Sequence, residues 1–538
     1  MFFIMAGLVA QGILYSNAHI HTQDPARPRA SALAVLGGRV VWLGEDAQEF
    51  AAGKDWPRMD LGGAFVVPGL CDAHGHVMGL GASLRDLNLV GTKSYEEVIA
   101  AVATRAKKLP PGSWIVGRGW DQNDWADQAF PTHRALSQAV PNHPVFLSRV
   151  DGHAALVNRS AMEAARLDSR ASDPPGGHLH RDENGLTGVL VDAAMDLVRP
   201  PAPTRQEMRE LLLAGMQACA AAGLTAVHDA GVSSAMLSVY EELAQAGQMP
   251  IRVYAMLENS PQTLAAELPK GLRLGLGSGF LTVRSIKAYM DGALGSRGAL
   301  LLHPYHDAPQ TRGLQLMAQE DLARLLETAM RAGFQVNTHA IGDGANHLLL
   351  QQIGQSWERL GRPGNLRFRV EHAQILAAAD MPLFTRYGII PSMQPTHCSS
   401  DMPWAPDRLG PQRIQGAYAW RSLRELGLPL ALGSDFPVED VSPLLGIYAA
   451  ITSKDRSGNP PEGFRPDQVL SREEALLGFT KWAAYAAFQE DVLGALAPGM
   501  LADFTVVDRD LLTAPAESIL QTRILMTVVD GVIRHRQP

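Results

Sequence analysis

The chain has 538 residues, of which 46% are hydrophobic and 19% charged, with Lys plus Arg at 47 against 55 for Asp plus Glu and a net charge of −8. That length admits a large barrel or roughly two or three ordinary domains of a globular protein. With no basic run or aromatic-basic patch, a nucleic-acid partner is excluded. Cys71, Cys219 and Cys398 are scattered, which excludes a disulfide framework and a thiolate zinc site and points to a reducing, cytoplasmic setting.

The opening MFFIMAGLVAQG is apolar, but it lacks the basic residues of a signal peptide and is too short to span a bilayer. It reads as a ragged extension before the strand ILYSNAHIHT, with a cleaved export signal as the competing reading. No later segment is a membrane candidate. ALAVLGGRVVWLGED follows as alternating, glycine-turned strands, and LADFTVVDRD with ILMTVVDGVIR repeats that pattern near the far end. These two ends, 1–63 and 491–538, are expected to combine into one small β-sandwich.

The run AFVVPGLCDAHGH then reads as a buried strand ending in His74 and His76, and a barrel is expected over 64–490. Residues two apart on a strand point the same way, so both imidazoles face one side. Roughly 150 residues separate this strand from the next apolar one, far beyond an ordinary connection. Part is a helix after the capping-box pair Ser94 and Glu97. The rest holds short strand-like pieces (WIVGRGW, PVFLSRVDG, GVLVDA) and the turn-rich DSRASDPPGGHLHRDENG. An inserted subdomain over 84–203, a lid beside the barrel mouth, is the expectation.

Beyond it a joint recurs in which a helical pattern stops at glycine and an apolar strand begins. It appears as ACAAAGLTAVHDA, TAMRAGFQVNTHA, FTRYGIIPSMQP and LRELGLPLALGSD, with Gly223, Gly333, Gly388 and Gly427 at the helix C-terminal cap. Thr204 with Glu207 makes a capping box for the helix entering the first joint. IRVYAML, VRSIKAYM and FRVEHAQ supply three more strands, making eight. Alternating strands and helices imply a parallel α/β sheet, and eight units favour a closed (β/α)8 TIM-like barrel over an open doubly wound sheet.

In such barrels chemistry sits at the C-terminal strand ends. Those ends carry His74 and His76 (first strand), His228 and Asp229 (second), Lys287 (fourth), His339 (fifth), His372 (sixth) and Asp435 (eighth). Each alone has an ordinary explanation: a satisfied histidine, a lysine reaching for water, an aspartate forming a turn. Together, a divalent metal centre is the economical account.

The ordered set H-G-H, K-A-Y-M-D-G, N-T-H-A-I-G-D, E-H-A-Q and G-S-D-F-P resembles the amidohydrolase superfamily. Within it the chain is similar to the amidohydrolase-3 group, the YtcJ-like proteins that include N-substituted formamide deformylases. GRGWDQNDW, RVDGHAALVN, GGHLHRDENGLTGVLVD and DGALGSRGALL extend the likeness over nearly the whole chain.

The resemblance implies that His74, His76 and Asp435 bind a buried metal ion, and that His339 and His372 bind a second. It implies that Lys287 is carbamylated and bridges the two. A desolvated lysine near cations has a lowered pKa and is nucleophilic as the free amine, so that modification is chemically coherent. Water held between the ions would attack a substrate carbonyl, with Asp435 as the catalytic acid and base. A single ion, as in the deaminase branch, is the other mode, and Lys287 separates the two. Zinc suits the histidine and carboxylate ligands, as manganese, iron and cobalt also would.

Trp120 and His153 of the insertion are candidate substrate contacts, with packing of the subdomain as the equal alternative. Arg297 is a third, with a surface salt bridge as its alternative. Asp343, His228, His397 and Cys398 stand as lesser pocket or supporting candidates, and Trp125, Trp404 and Phe436 would suit an apolar substrate group. The activity implied is hydrolysis of a non-peptide C–N bond, of amide or formamide type, in a small molecule. A deaminase, lactonase or esterase on the same scaffold is the alternative, and an inactive binding homologue is disfavoured by the complete ligand set. Neither nucleic acid nor membrane is an expected partner, and a homodimer is the family's common habit.

Overall fold

The computed structural model describes residues 12–45, 47, 50, 56–149, 154–174 and 177–537. The apolar stretch at 1–11 and His153 lie outside the described residues. Two compact units are present, Met1–Val77 with Leu212–Pro538, and Met78–Leu211.

The first unit holds the barrel. Its strands are β1 (Leu70–Gly75), β2 (Leu224–Val232), β3 (Arg252–Glu258), β4 (Leu281–Tyr289), β5 (Gln335–Ala340), β6 (Arg369–His372), β7 (Ile390–Met393) and β8 (Ala431–Leu432). They pair in chain order, and every neighbouring pair is parallel. Beyond the end of β8 the circuit is completed by Asp435 N donating to His74 O at 2.7 Å and His76 N donating to Phe436 O at 2.8 Å. The eight strands are those expected from the sequence, in the TIM-like arrangement rather than the open sheet.

The joints form for the anticipated reason. Gly223, Gly333, Gly388 and Gly427 all have positive φ, the left-handed conformation that ends a helix and that a Cβ disfavours. The Thr204–Glu207 capping box is complete, with Thr204 N reaching Glu207 Oε2 at 2.8 Å and Glu207 N reaching Thr204 Oγ1 at 3.3 Å.

One expected element divides. AFVVPGLCDAH is not a single strand, because Arg58–Pro68 pairs with Ile13–His21 and with Phe504–Val507, while β1 starts at Leu70. The chain therefore passes into the barrel at Gly69 rather than at 63/64. A Cβ on Gly69 would lie 2.2 Å from Thr225 Oγ1 of β2, so only glycine fits this crossing.

Both chain ends share one continuous eight-stranded sheet, where a small sandwich was expected. Its order is Val532–Arg536, Ile524–Val529, Phe504–Val507, Arg58–Pro68, Ile13–His21, Ala32–Leu36, Arg39–Gly44, with Arg29–Ala30 beside Ile13–His21. Alternation sorts its side chains by face. Tyr15, Leu33, Val66, Phe504 and Val528 gather into one core, and Leu14, Ala32 and Ala34 into another with Trp42 and Trp56. Arg252 of β3 is tied to Asp503 at 2.7 and 3.0 Å, both side chains buried.

The second unit has its own six-stranded sheet, in the order Gly177–Asp182, Gly185–Asp192, Ala154–Val157, Val145–Arg149, Ile115–Trp120, Leu87–Asn88. Val98, Trp120, Leu136 and Leu147 are among its core residues. All three cysteines are buried and free. Among the described residues, no helix is long and apolar enough to cross a membrane.

Candidate metal centre

At the C-terminal ends of the barrel strands the structure gathers His74, His76, Lys287, His339, His372 and Asp435, joined by His397 from the helix Pro395–Asp401 that follows β7. Ring centroids step through this cluster: His74 to His76 at 5.6 Å, His74 to His372 at 4.9 Å, His372 to His339 at 4.5 Å and His372 to His397 at 5.7 Å.

Three of the imidazoles are held in one sense. His74 Nδ1 is hydrogen-bonded to Glu371 Oε2, His76 Nδ1 to the Ala230 carbonyl at 2.9 Å, and His372 Nδ1 to Gln394 Oε1 at 2.7 Å. Each partner is an acceptor oxygen, so each Nδ1 is the donor and Nε2 is the nitrogen that a neutral ring presents as an acceptor. Tying down one ring nitrogen to aim the other is how metal-ligating histidines are oriented.

The Nε2 atoms converge on Asp435, whose Oδ1 lies 3.0 Å from His76 Nε2 and 3.5 Å from His74 Nε2. Two donor sets fall within 4.8 Å, His74 with His76 and Asp435, and His372 with His397 and Asp435. His339 enters neither set; its Nε2 lies 3.5 Å from Asp291 Oδ1. Buried and without a hydrogen-bond partner among the described residues are His339 Nε2, His397 Nε2 and Asp435 Oδ1. Orphaned buried nitrogen and oxygen donors are costly unless something pairs with them, and a cation suits this set.

Backbone geometry explains how adjacent residues reach one centre. On β6 alternation puts Arg369 and Glu371 on one side and would send His372 to the other. His372 and Ala373 instead have φ of 73° and 43°, and Asp435 has φ of 62°. Such left-handed non-glycine residues cost about 1–3 kcal/mol each and collect at functional sites. Gly433 brings β8 against β1, where a Cβ would lie 2.5 Å from Asp72 Oδ1 and 2.6 Å from His74 N.

Electrostatics keep four of the ligands in binding form, whereas His76, lowered by burial, is raised overall by its contact with Asp435. Burial, then the Lys287 charge, lowers His74 to about 4 and His339 to about 3, and burial puts His372 well below its ordinary value. Asp435 is raised by burial, but His76 and His74 outweigh that and hold it well below the usual carboxylate range. Lys287 is 1% exposed, with Nζ 2.9 Å from His74 Nε2, and burial brings it down to about 8. At that value a minor neutral fraction exists near neutrality, the form that carbamylation requires.

Several supporting groups are not obvious from strand-end reading. Glu371 is fully buried and paired with Arg369, Nε to Oε1 at 2.7 Å. Burial opposes its charge, but Arg369 and His74 hold it well below the usual range. Arg369 also reaches Ser392 Oγ at 2.8 Å and His228 Nδ1 at 2.9 Å, so His228 is a packing partner of the relay. Asp72 accepts from His74 N, Ser434 N and Ser434 Oγ. Asp291 accepts from Leu300 N, Ile341 N and Gly342 N and fixes the loops beside His339. The available signal was charge at alternate positions of otherwise apolar strands.

Two of the substrate-contact expectations change. Trp120 is fully buried in the core of the second unit and donates Nε1 to Leu147 O at 2.7 Å, with Trp125 and Phe130 against its ring. Packing is its role, since an aromatic ring enclosed this way leaves no face for a substrate. Arg297 is spent on Asp307 at 2.8 Å, an ion pair at the surface. Asp343 opens the helix Asp343–Arg359 and accepts from Leu302 N at 2.9 Å.

A closed parallel barrel with this buried histidine and carboxylate set defines a metal-dependent hydrolase class. The sequence matches the amidohydrolase family (Amidohydro_3) over residues 58–535, and the chain belongs to that family. It is 32% identical over 530 residues to YtcJ of Bacillus subtilis (strain 168), across 97% of this chain and 98% of that one. It is 27% identical over 546 residues to the N-substituted formamide deformylase of Arthrobacter pascens, across 98% of each. A crystal structure of an uncharacterized metal-dependent hydrolase from Pyrococcus horikoshii OT3 aligns with a TM-score of 0.80 at 28% identity, over 94% of this chain and 99% of that one.

Proposed function

We propose that the protein hydrolyses a non-peptide C–N bond, of amide or formamide type, in a small molecule. The observation that carries this reading is that His74, His76 and His372 each donate Nδ1 to an oxygen and belong to the two donor sets that share Asp435. In this reading His74, His76 and Asp435 would hold one divalent ion, His372 would help to hold a second with His339 beside it, and Lys287, once carbamylated, would supply a further oxygen ligand. Zinc is the proposed metal, because nitrogen and carboxylate donors without thiolates suit it. When bound, such ions acidify water and polarise a carbonyl.

The chain's own residues do the rest. Asp435, kept ionised by His76 and His74, takes the proton of the attacking water as the C–O bond forms. It returns that proton to the leaving nitrogen as the C–N bond breaks, so water and amide become acid and amine. Glu371 and Arg369 keep the His74 ring in its donating tautomer. Likeness to an N-substituted formamide deformylase over almost the full chain supports the formamide-type substrate.

The test is turnover by the zinc-loaded protein on a panel of N-substituted formamides, other amides, lactones and amidines. Release of amine from formamides or amides, lost in Asp435→Asn, is the expected result. Turnover confined to lactones or amidines would move the protein to another hydrolase type, and turnover of none would sink the reading.

A further inference from the structure

Asp435 divides its carboxylate between two sets of histidines. Oδ1 faces His76 and His74 at 3.0 and 3.5 Å, while Oδ2 lies 3.7 Å from His397 Nε2. His397 is the third residue of Pro395–Asp401, and its ring lies within 17° of parallel to that of His372. Its Nε2 is buried and lacks a hydrogen-bond partner among the described residues.

Two arrangements compete for a buried imidazole nitrogen facing a carboxylate oxygen: a hydrogen bond or a shared cation. At 3.7 Å the separation exceeds the roughly 3.2 Å reach of an N–H···O bond. Donors on a tetrahedral zinc with bonds of about 2.0–2.1 Å stand roughly 3.3 Å apart, a few tenths of an ångström from the observed separation. The gap therefore has the size of a shared ion.

We infer that His397 is a metal ligand: His372, His397 and Oδ2 of Asp435 form a three-donor site for the second ion, and Asp435 spans both ions through its separate oxygens. This rests on the metal-hydrolase reading and adds a donor from the segment after β7, where strand-end reasoning placed none. Gln394 serves both imidazoles. It occupies the cap position of the short helix and holds Nδ1 of His372, while the helix it starts carries His397 three residues on. Asp401, four residues beyond His397 and so on the same helix face, is fixed by Tyr418 Oη at 2.8 Å and Gln374 Nε2 at 2.6 Å.

The experiment is a Zn2+ titration of the metal-free full-length protein, followed by calorimetry and by metal analysis after gel filtration. Wild type is expected to take two equivalents. His397→Ala and His397→Gln are expected to weaken the second about 10–100-fold and leave the first unchanged. Two equivalents at wild-type affinity in both variants, or only one in wild type, would overturn the assignment. A zinc-edge anomalous map of wild-type crystals needs no variant: an ion within about 2.1 Å of His397 Nε2 supports the site, and two ions bound without that nitrogen overturn it. The readouts separate the two readings. Unaltered titration in the variants, with amide turnover intact, removes the ligand assignment alone. Zinc held through His397 with no amide turnover removes the hydrolase reading alone.

Discussion

Glu371 and His74 are joined side chain to side chain across the barrel, Oε2 of the glutamate taking the Nδ1 proton of the imidazole. Both are fully buried, and Arg369, two residues before Glu371 on β6, balances the carboxylate at 2.7 Å. The pair couples ligand orientation to a buried charge network. Glu371→Gln keeps an acceptor for His74 but leaves the Arg369 charge unbalanced, so it should lower zinc affinity about 10–100-fold and cost stability as well. Glu371→Ala strands the Arg369 guanidinium and should destabilise the fold by about 3–5 kcal/mol. Competition against a chromophoric chelator reads the first effect and urea unfolding the second. Equal zinc affinity in wild type and Glu371→Gln would remove the relay from metal binding.

Lys287 decides between one and two ions. Its amine is buried against His74 and lowered to about 8 by desolvation, so a minor neutral fraction is open to reaction with carbon dioxide near neutrality. Lys287→Ala should lose the second zinc equivalent and at least about 100-fold in kcat/KM, some 2.7 kcal/mol of transition-state stabilisation. Lys287→Glu, which restores a carboxylate, should recover part of the zinc. Metal content and activity unchanged in Lys287→Ala would leave the lysine a packing residue.

What the sequence made legible follows from periodicity. The eight strands and their capping glycines were readable because apolar runs and cap chemistry are local, and the histidines were readable because they stand at strand ends. Glu371 and Arg369 escaped attention because a charge inside an apolar strand has no local explanation; its partners, His74 and His228, lie 297 and 141 residues away. His372 turns inward beside Glu371 only through a positive φ that alternation does not anticipate. AFVVPGL misled in the opposite direction, since one hydrophobic run serves two sheets and the break at Gly69 is set by contact with Thr225. Trp120 shows the limit of motif reading: a tryptophan in a distinctive string is still most economically a core residue.

Arg252 and Asp503 tie the barrel to the end sheet through a buried two-bonded ion pair. Removing one partner leaves a buried charge without compensation. Asp503→Asn should therefore lower unfolding free energy by about 3–5 kcal/mol while leaving zinc stoichiometry at its wild-type value. Urea unfolding beside metal analysis checks both halves. A stability loss below about 1 kcal/mol would mean that Asp530, 3.5 Å from the same guanidinium, takes over the charge.

The buried histidines give the metal-free protein a defined acid sensitivity. Burial, then the Lys287 charge, lowers His339 from 6.5 to about 3 and His74 to about 4 in the folded chain. In the unfolded chain both return to about 6.5. Between those limits the unfolded state binds more protons, so stability is fully present above about pH 6.5 and is lost as pH falls toward 4. Each histidine contributes a slope approaching about 1.4 kcal/mol per pH unit. His339→Asn removes one such group, so its unfolding free energy should fall less steeply than wild type by about that slope between pH ~6 and ~4.5. Urea unfolding of the chelator-treated proteins at half-unit pH steps makes the comparison, and parallel curves would show that His339 is not held neutral by the fold. Saturating zinc should flatten the wild-type curve, because an ion that binds only the folded, unprotonated imidazoles competes with the proton.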